Sequence, residues 1–359
     1  RSPVRPLQTI DVVDNQGPGL NFSLGNFLGC PDLDVVKVDL VVGAASAYYG
    51  PNAFNGVISM TTKDPFQTPG LSVSLKYGER NLFEGIMRWD QVIKNKAGKE
   101  KFAYKLNGYF LRANDWEATN LDPVYGAQDG KDNPGGYDAV NRYGDEFYFA
   151  DDYSQSTRTY PGLNRFYRTG YLESDLVDYN TRNYKLSAAF HYKLSDSTRL
   201  IYASNFGSGT TVYQGDNRYS LKDILFFQNR IEIRRDNKFF LMAYSTNENA
   251  GNSYDAYLTA LLLERGAKSD VSWGTDYYNY YASHAVKQIQ ELPGYPAFQF
   301  PIPVWYTDSI NYILMQNAGL ISSLHSQARL YADDSSLSVG DHAFYIPGTP
   351  EFDSACNAI

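Results

Sequence analysis

The feature that most constrains this chain is a series of long segments in which apolar and polar side chains alternate. In one of them, the apolar face carries Phe102, Tyr104, Leu106, Gly108 and Phe110, and the other face carries Ala103, Lys105, Asn107 and Tyr109. Alternation with a period of two predicts β-strands. We predict seven strands: Leu71–Tyr77, Leu82–Lys94, Lys101–Asp115, Arg182–Leu194, Arg199–Tyr213, Tyr219–Arg235 and Lys238–Asn249.

The length of these strands indicates where they lie. Strands in soluble sandwiches usually have about five or six residues, whereas a strand that crosses a bilayer needs about 9 to 11. The sequence contains no run near the roughly 18 apolar residues that identify a membrane-spanning helix. A transmembrane barrel needs no such run, because its strands alternate between lipid and lumen. The predicted fold class is therefore an all-β transmembrane β-barrel.

Both long connections after the predicted strands follow odd-numbered strands. The connection after the first strand, Gly78–Asn81, is short and adds nothing to this argument. Short connections follow the second, fourth and sixth strands, at Asn95–Glu100, Ser195–Thr198 and Asp236–Asn237. Long ones, Trp116–Tyr179 and Ala250–Ile359, follow the third and seventh. Membrane barrels have short periplasmic turns and longer extracellular loops. We therefore expect residues 116–179 and 250–359 to be large extracellular loops and Asn95–Glu100 to be periplasmic.

Charge and tyrosine are concentrated in the two long loops. Together these loops carry a net charge of -14, while the whole chain of 359 residues has -8. A negative chain is poorly suited to phosphate contacts, so nucleic acid is not an expected partner. The loops also hold 20 of the 31 tyrosines. Two interpretations stay open: a solvated acidic surface, or a vestibule in which tyrosine rings stack on a ligand.

The last long loop shows helix signals. Ser253 can cap a helix that runs through Glu264 and stops at Gly266. A second helix is predicted over Thr275–Gln290, and four prolines within Leu292–Val304 exclude helix there. Helices in a surface loop indicate a packed lid.

Residue combinations typical of catalysis or metal binding are missing from the sequence. Cys30 and Cys356 stand far apart, and with only four histidines they predict neither a disulfide framework nor a zinc site. Asp129, Asp132, Asn133 and Asp138 lack the spacing of an EF-hand, so we interpret them as a solvated turn. Enzyme motifs such as GxSxG, HExxH and the P-loop are also missing. We predict a protein that is not an enzyme and has no metal or cofactor.

The N-terminal part differs in texture from the long strands. Val35–Val42 and Val57–Thr62 are predicted strands, separated by the small residues of Gly43–Gly50 and a turn at Pro51–Gly56. The pattern predicts a compact α/β element.

The segment Val35–Pro65 resembles the end of the plug domain of TonB-dependent outer-membrane receptors. In those receptors a hydrophobic strand enters a G-x-x-S-x-x-Y-G turn, which a G-V-I strand and a T-K pair follow. The matching residues here are Gly43, Ser46, Tyr49, Gly50, Gly56, Val57, Ile58, Thr62 and Lys63. We assign structural roles to them: glycines permit tight turns and close approach of strands, and Ser46 can bond the local backbone. SusC-like receptors have a related Y-G-S-R-x-A-N-G-V turn, of which this chain keeps YG and NGV without the Ser-Arg pair.

The resemblance implies an architecture. Residues 1–70 would be the C-terminal part of a plug domain, an N-terminal α/β plug segment, and residues 71–359 the first part of a barrel of about 22 antiparallel strands. The earlier part of the plug and the TonB box would lie before Arg1, and the remaining strands after Ile359.

The resemblance also implies a function: energy-coupled import of an external ligand across the outer membrane of a Gram-negative bacterium. The expected partners are outer-membrane lipid, a TonB-type energising protein in the periplasm, and a surface lipoprotein or other subunits of an outer-membrane complex. Two alternatives stay open. One is a receptor-like barrel that serves as a structural subunit without transport, and the other is a secreted soluble β-protein that binds glycans. The ligand is not specified by the sequence.

Overall fold

The computed structural model describes residues 6–16, 29–50, 53, 55–146, 152–215, 217–235, 237–297, 306–334 and 340–359. The chain divides into two compact units. The first contains Arg1–Trp116 and Asp178–Asp255, and the second contains Glu117–Val177 and Ala256–Ile359. The predicted division into residues 1–70 and 71–359 stays a prediction.

A sheet of long antiparallel strands dominates the first unit. Its strands are β5 (Gly70–Tyr77), β6 (Phe83–Lys94), β7 (Glu100–Asn114), β10 (Asn180–Lys193), β11 (Thr198–Gln214), β12 (Arg218–Arg235) and β13 (Phe239–Asn249). They pair in chain order, and the short β14 (Tyr254–Asp255) adds to β12. The seven predicted strands are confirmed, each to within two residues at either end.

Side chains of these strands separate into two faces, as the alternation predicts. On β10, Tyr184, Leu186 and Phe190 are exposed, whereas Lys185 and His191 are buried. The exposed rings form cross-strand pairs, such as Phe110 with Tyr184 at 5.2 Å and Trp89 with Tyr104 at 5.4 Å between ring centroids. We call this exposed, apolar side the outer face and the opposite side the inner face.

A smaller sheet packs on the inner face. Its strands are β1 (Leu7–Ile10), β2 (Val13–Asp14), β3 (Val35–Val42) and β4 (Gly56–Thr62), in the order β2-β1-β4-β3. The helix α1 (Ser46–Tyr49) lies in the connection between β3 and β4. The predicted strands and the α/β character of this segment are confirmed. Pro51, Asn52 and Phe54 of the predicted turn lie outside the described residues.

The two ends of the large sheet differ in their connections. Short turns join β6 to β7 and β10 to β11 at one end, and the turn from β12 to β13 lies there too, with Asp236 outside the described residues. The long connections after β7 and β13 leave from the other end, together with Gly78–Leu82. The predicted asymmetry of connection length is confirmed, while the assignment of each end to a side of a membrane stays a prediction.

The second unit is mainly helical. Its elements are β8 (Arg142–Tyr143), β9 (Tyr171–Leu172), α2 (Glu173–Leu176), α3 (Ala256–Ala267), α4 (Asp270–Tyr280), α5 (Val286–Gln290), α6 (Thr307–Gln316), α7 (Ala318–Asp333) and α8 (Pro350–Ala358), with a π-helical turn at Tyr281–Ala285 between α4 and α5. Its core joins residues of both long connections, with Phe166 stacked on Tyr277 at 4.3 Å between ring centroids. The two predicted loops therefore fold together into one unit.

The predicted helices of the last loop are partly wrong in their bounds. Ser253 does not cap a helix, because Tyr254 and Asp255 pair with β12 and the Ser253 hydroxyl accepts a hydrogen bond from the Lys222 N–H at 3.0 Å. The helix begins at Ala256 and runs through Gly266. The second helix begins five residues before the predicted Thr275.

Arg168 marks the end of α3. Its guanidinium donates to the Glu264 carbonyl at 3.0 Å, which also accepts from the Lys268 N–H, and to the Lys268 carbonyl just after the helix at 2.9 Å. Helices α6 and α7 and the C-terminal α8 are additional to the prediction. The described part of Leu292–Val304 contains no helix, and residues 298–304 lie outside the description.

No helix among the described residues combines the length and the apolar character needed to cross a membrane. The β-strand character that we predict is confirmed for the first unit. It does not extend to the second, because the two long connections carry helical patterns. A closed barrel of about 22 strands stays a prediction.

Candidate functional site

The candidate site is the interface between the N-terminal segment, residues 6–16 and 29–68, and the inner face of the large sheet. Both parts belong to the first unit. Charged and polar side chains on the inner faces of β6, β7, β10, β11 and β12 point at this segment. We call the contact the polar interface.

Asp34 is at the centre of the polar interface. Its carboxylate accepts from Lys105 Nζ at 2.8 Å, from Asn107 Nδ2 at 3.1 Å and from Arg88 Nε at 3.3 Å. Arg88 also pairs with Asp90, its neighbour but one on β6. Asp34 is only 2% exposed, so these strand residues replace the water that a free carboxylate would bind.

A second cluster forms around Asp11, in the turn between β1 and β2. Arg230 Nη2 contacts Asp11 Oδ2 at 3.1 Å, and Arg230 Nη1 donates to the Asp11 carbonyl at 3.0 Å. Thr62 donates its N–H and its hydroxyl to the Asp11 carboxylate at 2.9 and 2.8 Å. Burial alone would raise the pKa of this carboxyl, but Arg230 and the two Thr62 hydrogen bonds outweigh it and lower the pKa. Asp11 is therefore held ionised, against Arg230 on β12.

A third cluster lies after β4. Arg199 Nη1 on β11 contacts Asp64 Oδ2 at 2.5 Å, and the His191 ring lies 4.0 Å from the other Asp64 oxygen. Phe66 packs its ring edge-on against His191, with 6.4 Å between centroids, and Lys193 Nζ lies 4.0 Å from the centroid of Phe66. This end of the interface thus combines an ion pair with a cation–π contact.

Space remains between the N-terminal segment and the strands. A cavity of about 360 Å³ lies beside the second and third clusters. Its charged lining includes Asp11, Asp64, His191, Arg199, Arg230 and Glu232. A cavity with such a lining is polar and roomy enough to hold water.

The chemistry of this interface suits a segment that moves. Buried ion pairs contribute little net stability, because the cost of desolvation offsets their attraction. Exposure of an apolar contact to water costs about 25 cal/mol per Å². Separation of the N-terminal segment from the strands, with water entering the polar interface, therefore costs less free energy than separation of an apolar contact of equal area. The polar interface is thus specific in geometry, and its hydration requires little free energy.

Five of the nine residues that match the plug motif lie at the end of the small sheet where β3 leads into β4: Gly43, Ser46, Tyr49, Gly50 and Gly56. Gly43 and Gly50 have φ of +88° and +87° and flank α1, with no atom near the position of an added Cβ. Gly56 has φ of +130°, and an added Cβ would lie 2.8 Å from the Val41 carbonyl oxygen. Tyr49 packs against Leu7, Ala53 and Val57.

Ser46 differs from expectation in detail. The main-chain carbonyl of Ser46, rather than its side chain, forms the local hydrogen bond and accepts from the Gly50 N–H at 2.9 Å. The described residues include no partner for the Ser46 hydroxyl. The structural roles of Gly43, Ser46, Tyr49, Gly50 and Gly56 stay a prediction. None of the five is in the three clusters of the polar interface.

The described residues contain no group of three or more His, Cys, Asp or Glu side chains poised to hold a metal ion. In the acidic turn that contains Asp129 and Asn133, the Asp129 carboxylate accepts from Tyr167 Oη at 2.8 Å, and Asn133 Nδ2 donates to the Gly136 carbonyl at 2.8 Å. Burial raises the pKa of the Cys30 thiol to about 12, with Asp34 and Asp11 adding to the effect. Cys30 therefore stays protonated at neutral pH and is a poor nucleophile.

Reasoning from the sequence missed the clusters that form the polar interface. Asp11, Asp34 and Asp64 are ordinary acidic residues in the sequence, and Asp11 is 219 positions from its partner Arg230. One signal was present: the inner faces of membrane-length strands carry Arg88, Lys105, Arg199 and Arg230, which predicts a charged occupant on that side.

Comparison with known proteins gives the following similarities. No family model matches the sequence. The chain is similar to the siderophore receptor PirA from Pseudomonas aeruginosa, with a TM-score of 0.34, 14% identity, and coverage of 69% of this chain and 34% of that chain. It is similar to the open form of the ferric-catecholate import receptor Fiu from E. coli K12, with a TM-score of 0.30, 14% identity, and coverage of 64% and 39%. For the ferric yersiniabactin uptake receptor FyuA from Yersinia pestis, the values are 0.25, 13%, 68% and 40%.

All three structures are described as receptors, two of them as import or uptake receptors. The sequence resemblance is to a family of receptors as well. The chain spans between 34% and 40% of the length of these three receptors. What the whole protein binds and does is therefore a proposal, for which the geometry of this chain supplies the argument.

Proposed function

We propose that the chain forms part of a TonB-dependent outer-membrane receptor, which imports an external ligand through a plugged β-barrel. The observation that carries the proposal is the polar interface: a separate small sheet lies on the inner face of seven long strands, held by ion pairs, while the outer face is apolar. Residues 1–70 would be the plug segment. Residues 71–359 would be the first part of the wall, with extracellular connections at 116–179 and 250–359.

The mechanism follows from the contact. The wall strands make their own backbone hydrogen bonds, so they keep their structure when the plug segment moves. Force applied to the plug from the periplasmic side would separate the pairs Asp34–Lys105, Asp11–Arg230 and Asp64–Arg199, and water would solvate both sides. A path along the inner face would then open. The force would come from a TonB-type protein, and the site of action would be the outer membrane of a Gram-negative bacterium.

Conductance in planar lipid bilayers tests the proposal without knowledge of the ligand. The natural protein that contains these residues is reconstituted, and KCl is the probe. Removal of one member of a buried ion pair leaves the other charge unpaired, at a cost of about 3–5 kcal/mol. We expect Arg230→Ala to open the pore more often than the wild type. The double variant D11C/R230C, joined by a cleavable thiol cross-linker, should stay closed until the linker is cleaved.

Two results would count against transport. If wild type, Arg230→Ala and the cleaved double variant all stay closed, the segment is not a gate, and the structural-subunit alternative gains support. A protein that stays dispersed without detergent would contradict the membrane location altogether. Binding of the natural protein to the isolated periplasmic domain of TonB, measured by calorimetry, tests the energising partner separately.

A further inference from the structure

Two arginines face each other on the outer face of the large sheet. Arg112 of β7 is the register partner of Arg182 of β10, and both side chains are exposed. Within the described part of the chain, neither guanidinium group forms an ion pair or a hydrogen bond. Directly opposed like charges destabilise an antiparallel pair. An anion between the two guanidinium groups would remove that repulsion.

The arginine pair lies at the edge of the apolar band. Below it on the same face, Phe110 pairs with Tyr184, and the band continues down β7 to Phe102. Arg112 is ten residues from Phe102, which is about 34 Å along a strand. With the tilt of about 35–45° usual for membrane barrels, this corresponds to a height of about 25 Å, which is that of a lipid-facing band. The pair is at the end of the sheet from which the long connections leave.

A cavity of about 610 Å³ surrounds the pair, and its rim includes three asparagine amides that are hydrogen-bonded to neighbouring side chains. Its polar lining includes Asn81, Asn114, Asp178, Asn180 and Thr181. Asn81 Nδ2 donates to Asn114 Oδ1 at 2.8 Å, which fixes the rim between the strands. Among the described residues, the Asp178 carboxylate forms no ion pair with either arginine, and its Oδ1 accepts from the Asn180 N–H at 3.0 Å and from Asn180 Nδ2 at 2.6 Å.

The aromatic rings beside the pair favour an amphiphilic ligand. Phe83 is the register partner of Arg112 on its other side, and Phe83 and Phe110 are 6.0 Å apart between centroids. A small hydrated anion gains nothing from these rings, whereas a lipid can place its acyl chains on them. The geometry joins two guanidinium groups above with an apolar surface below.

We propose that Arg112 and Arg182 bind the phosphate group of a membrane lipid, in the leaflet next to the long connections. Each guanidinium donates two parallel N–H bonds to phosphate oxygens, a geometry that lysine does not offer. The acyl chains lie along Phe83, Phe110 and Tyr184. This inference rests on the proposed function in one respect, that the outer face of the strands is in lipid.

The test is native mass spectrometry of the natural protein in detergent, titrated with phosphatidic acid, diacylglycerol of the same chains, or inorganic phosphate. We expect the wild type to retain phosphatidic acid in preference to diacylglycerol. The double variant R112Q/R182Q should weaken retention of phosphatidic acid by about tenfold or more, because the charge-assisted hydrogen bonds are lost. The matched control is R235Q, since Arg235 faces outward on β12 at the opposite end of the band and should have little effect.

Three results would overturn the inference: equal retention by R112Q/R182Q and wild type, equal retention of the two lipids, or displacement of the lipid by inorganic phosphate at the same concentration. The last would show a site for a free anion. Failure of this site alone leaves the KCl conductance and the need for detergent unchanged. If the proposed membrane location is wrong, the wild-type protein stays dispersed without detergent.

Discussion

His325 shows what a single buried side chain decides in the second unit. Its ring is completely buried, with Nε2 2.9 Å from the Gly162 carbonyl and Nδ1 2.6 Å from Tyr277 Oη. The carbonyl can only accept, so Nε2 carries a proton; in the neutral ring, Nδ1 then accepts from the Tyr277 hydroxyl. Burial lowers the pKa of His325 to about 4; the bond to Gly162 opposes this shift and Arg329 adds to it.

The pKa of His325 predicts a loss of stability in acid. Unfolded histidine takes up a proton near pH 6.5 and the folded one does so only near 4, so the contribution is fully present above pH 6.5 and falls between the two. It amounts to about 3 kcal/mol. Urea unfolding at pH 7 and 4.5, followed by fluorescence of the buried Trp273, measures it. We expect His325→Gln to lose this dependence and the exposed control His284→Gln to keep it.

Glu264 also contributes to the pH dependence of stability, so the effect of His325 must be measured as the difference between wild type and His325→Gln. Its burial raises its pKa to about 8, against the opposing effect of Arg168. A carboxyl with a raised pKa destabilises the folded state as pH rises from about 4.5 to 8, which is opposite in sign to the effect of His325. The total slope with pH therefore mixes His325 with Glu264 and with other buried carboxyls of this unit, such as Asp145, where burial raises the pKa to about 7. If His325→Gln and wild type have the same slope, His325 does not titrate as its surroundings imply.

At the scale of elements, the long strands were predictable and the ionic contacts between elements were not. Apolar and polar side chains alternate with a period of two within each strand, so the ends of β7 and β10 were predicted to within two residues. The partners of Asp34 lie on two different strands, and only the tertiary fold brings them together. Helix α7 had a local signal that we missed, since Ile321, Leu324, Ala328 and Ala332 recur at helical spacing and are buried.

Leu186 and Leu194 test the depth of the outer face. Both are exposed on the outer face, on β10 or just after it. Leu186 lies between the ring pair Phe110–Tyr184 and the ring pair Phe102–Phe190, and Leu194 lies beyond the second pair. An arginine at the midplane of a bilayer costs about 2–4 kcal/mol and one at the interface about 0–1. We expect Leu186→Arg to lower the free energy of unfolding in lipid vesicles by the larger amount and Leu194→Arg by the smaller. Equal costs would show that this face does not lie in a bilayer.

Gly56 begins strand β4, where two backbones approach closely. We expect Gly56→Val to disrupt the plug segment, because its φ is strained for valine and its Cβ would collide with the Val41 carbonyl. Gly50→Ala is the matched control, with a positive φ and free space around the added methyl group. KCl conductance should change in Gly56→Val, while the amount of folded protein in the membrane stays near normal. Joint loss of wall and plug would place Gly56 in the main core instead.

At the scale of the whole molecule, several tyrosines of the two long connections are buried. Neither a solvated acidic surface nor a vestibule for ligand stacking accounts for these buried rings. Tyr171, Tyr277 and Tyr281 are among the largest fully buried side chains, so much of the ring content forms a core. This core was not predictable from local patterns, because its two halves, around Phe166 and Tyr277, are about a hundred residues apart. The acidic residues remain largely at the surface, apart from such pairs as Glu264 with Arg168. The connections thus form a folded acidic unit.

Orientation in the membrane is the last prediction at this scale. The long connections leave the sheet opposite the turn Asn95–Lys99, so they lie on opposite sides of a membrane that contains the strands. We expect Tyr125→Cys, whose native side chain is fully exposed, to react with an impermeant maleimide on intact cells. The exposed Ala97→Cys should react only after the outer membrane is permeabilised. Both variants carry Cys356→Ser, because Cys356 is partly exposed while Cys30 is buried. Reaction at position 97 and none at 125 on intact cells would invert the orientation, and reaction at both without permeabilisation would show that no membrane separates the two ends of the sheet.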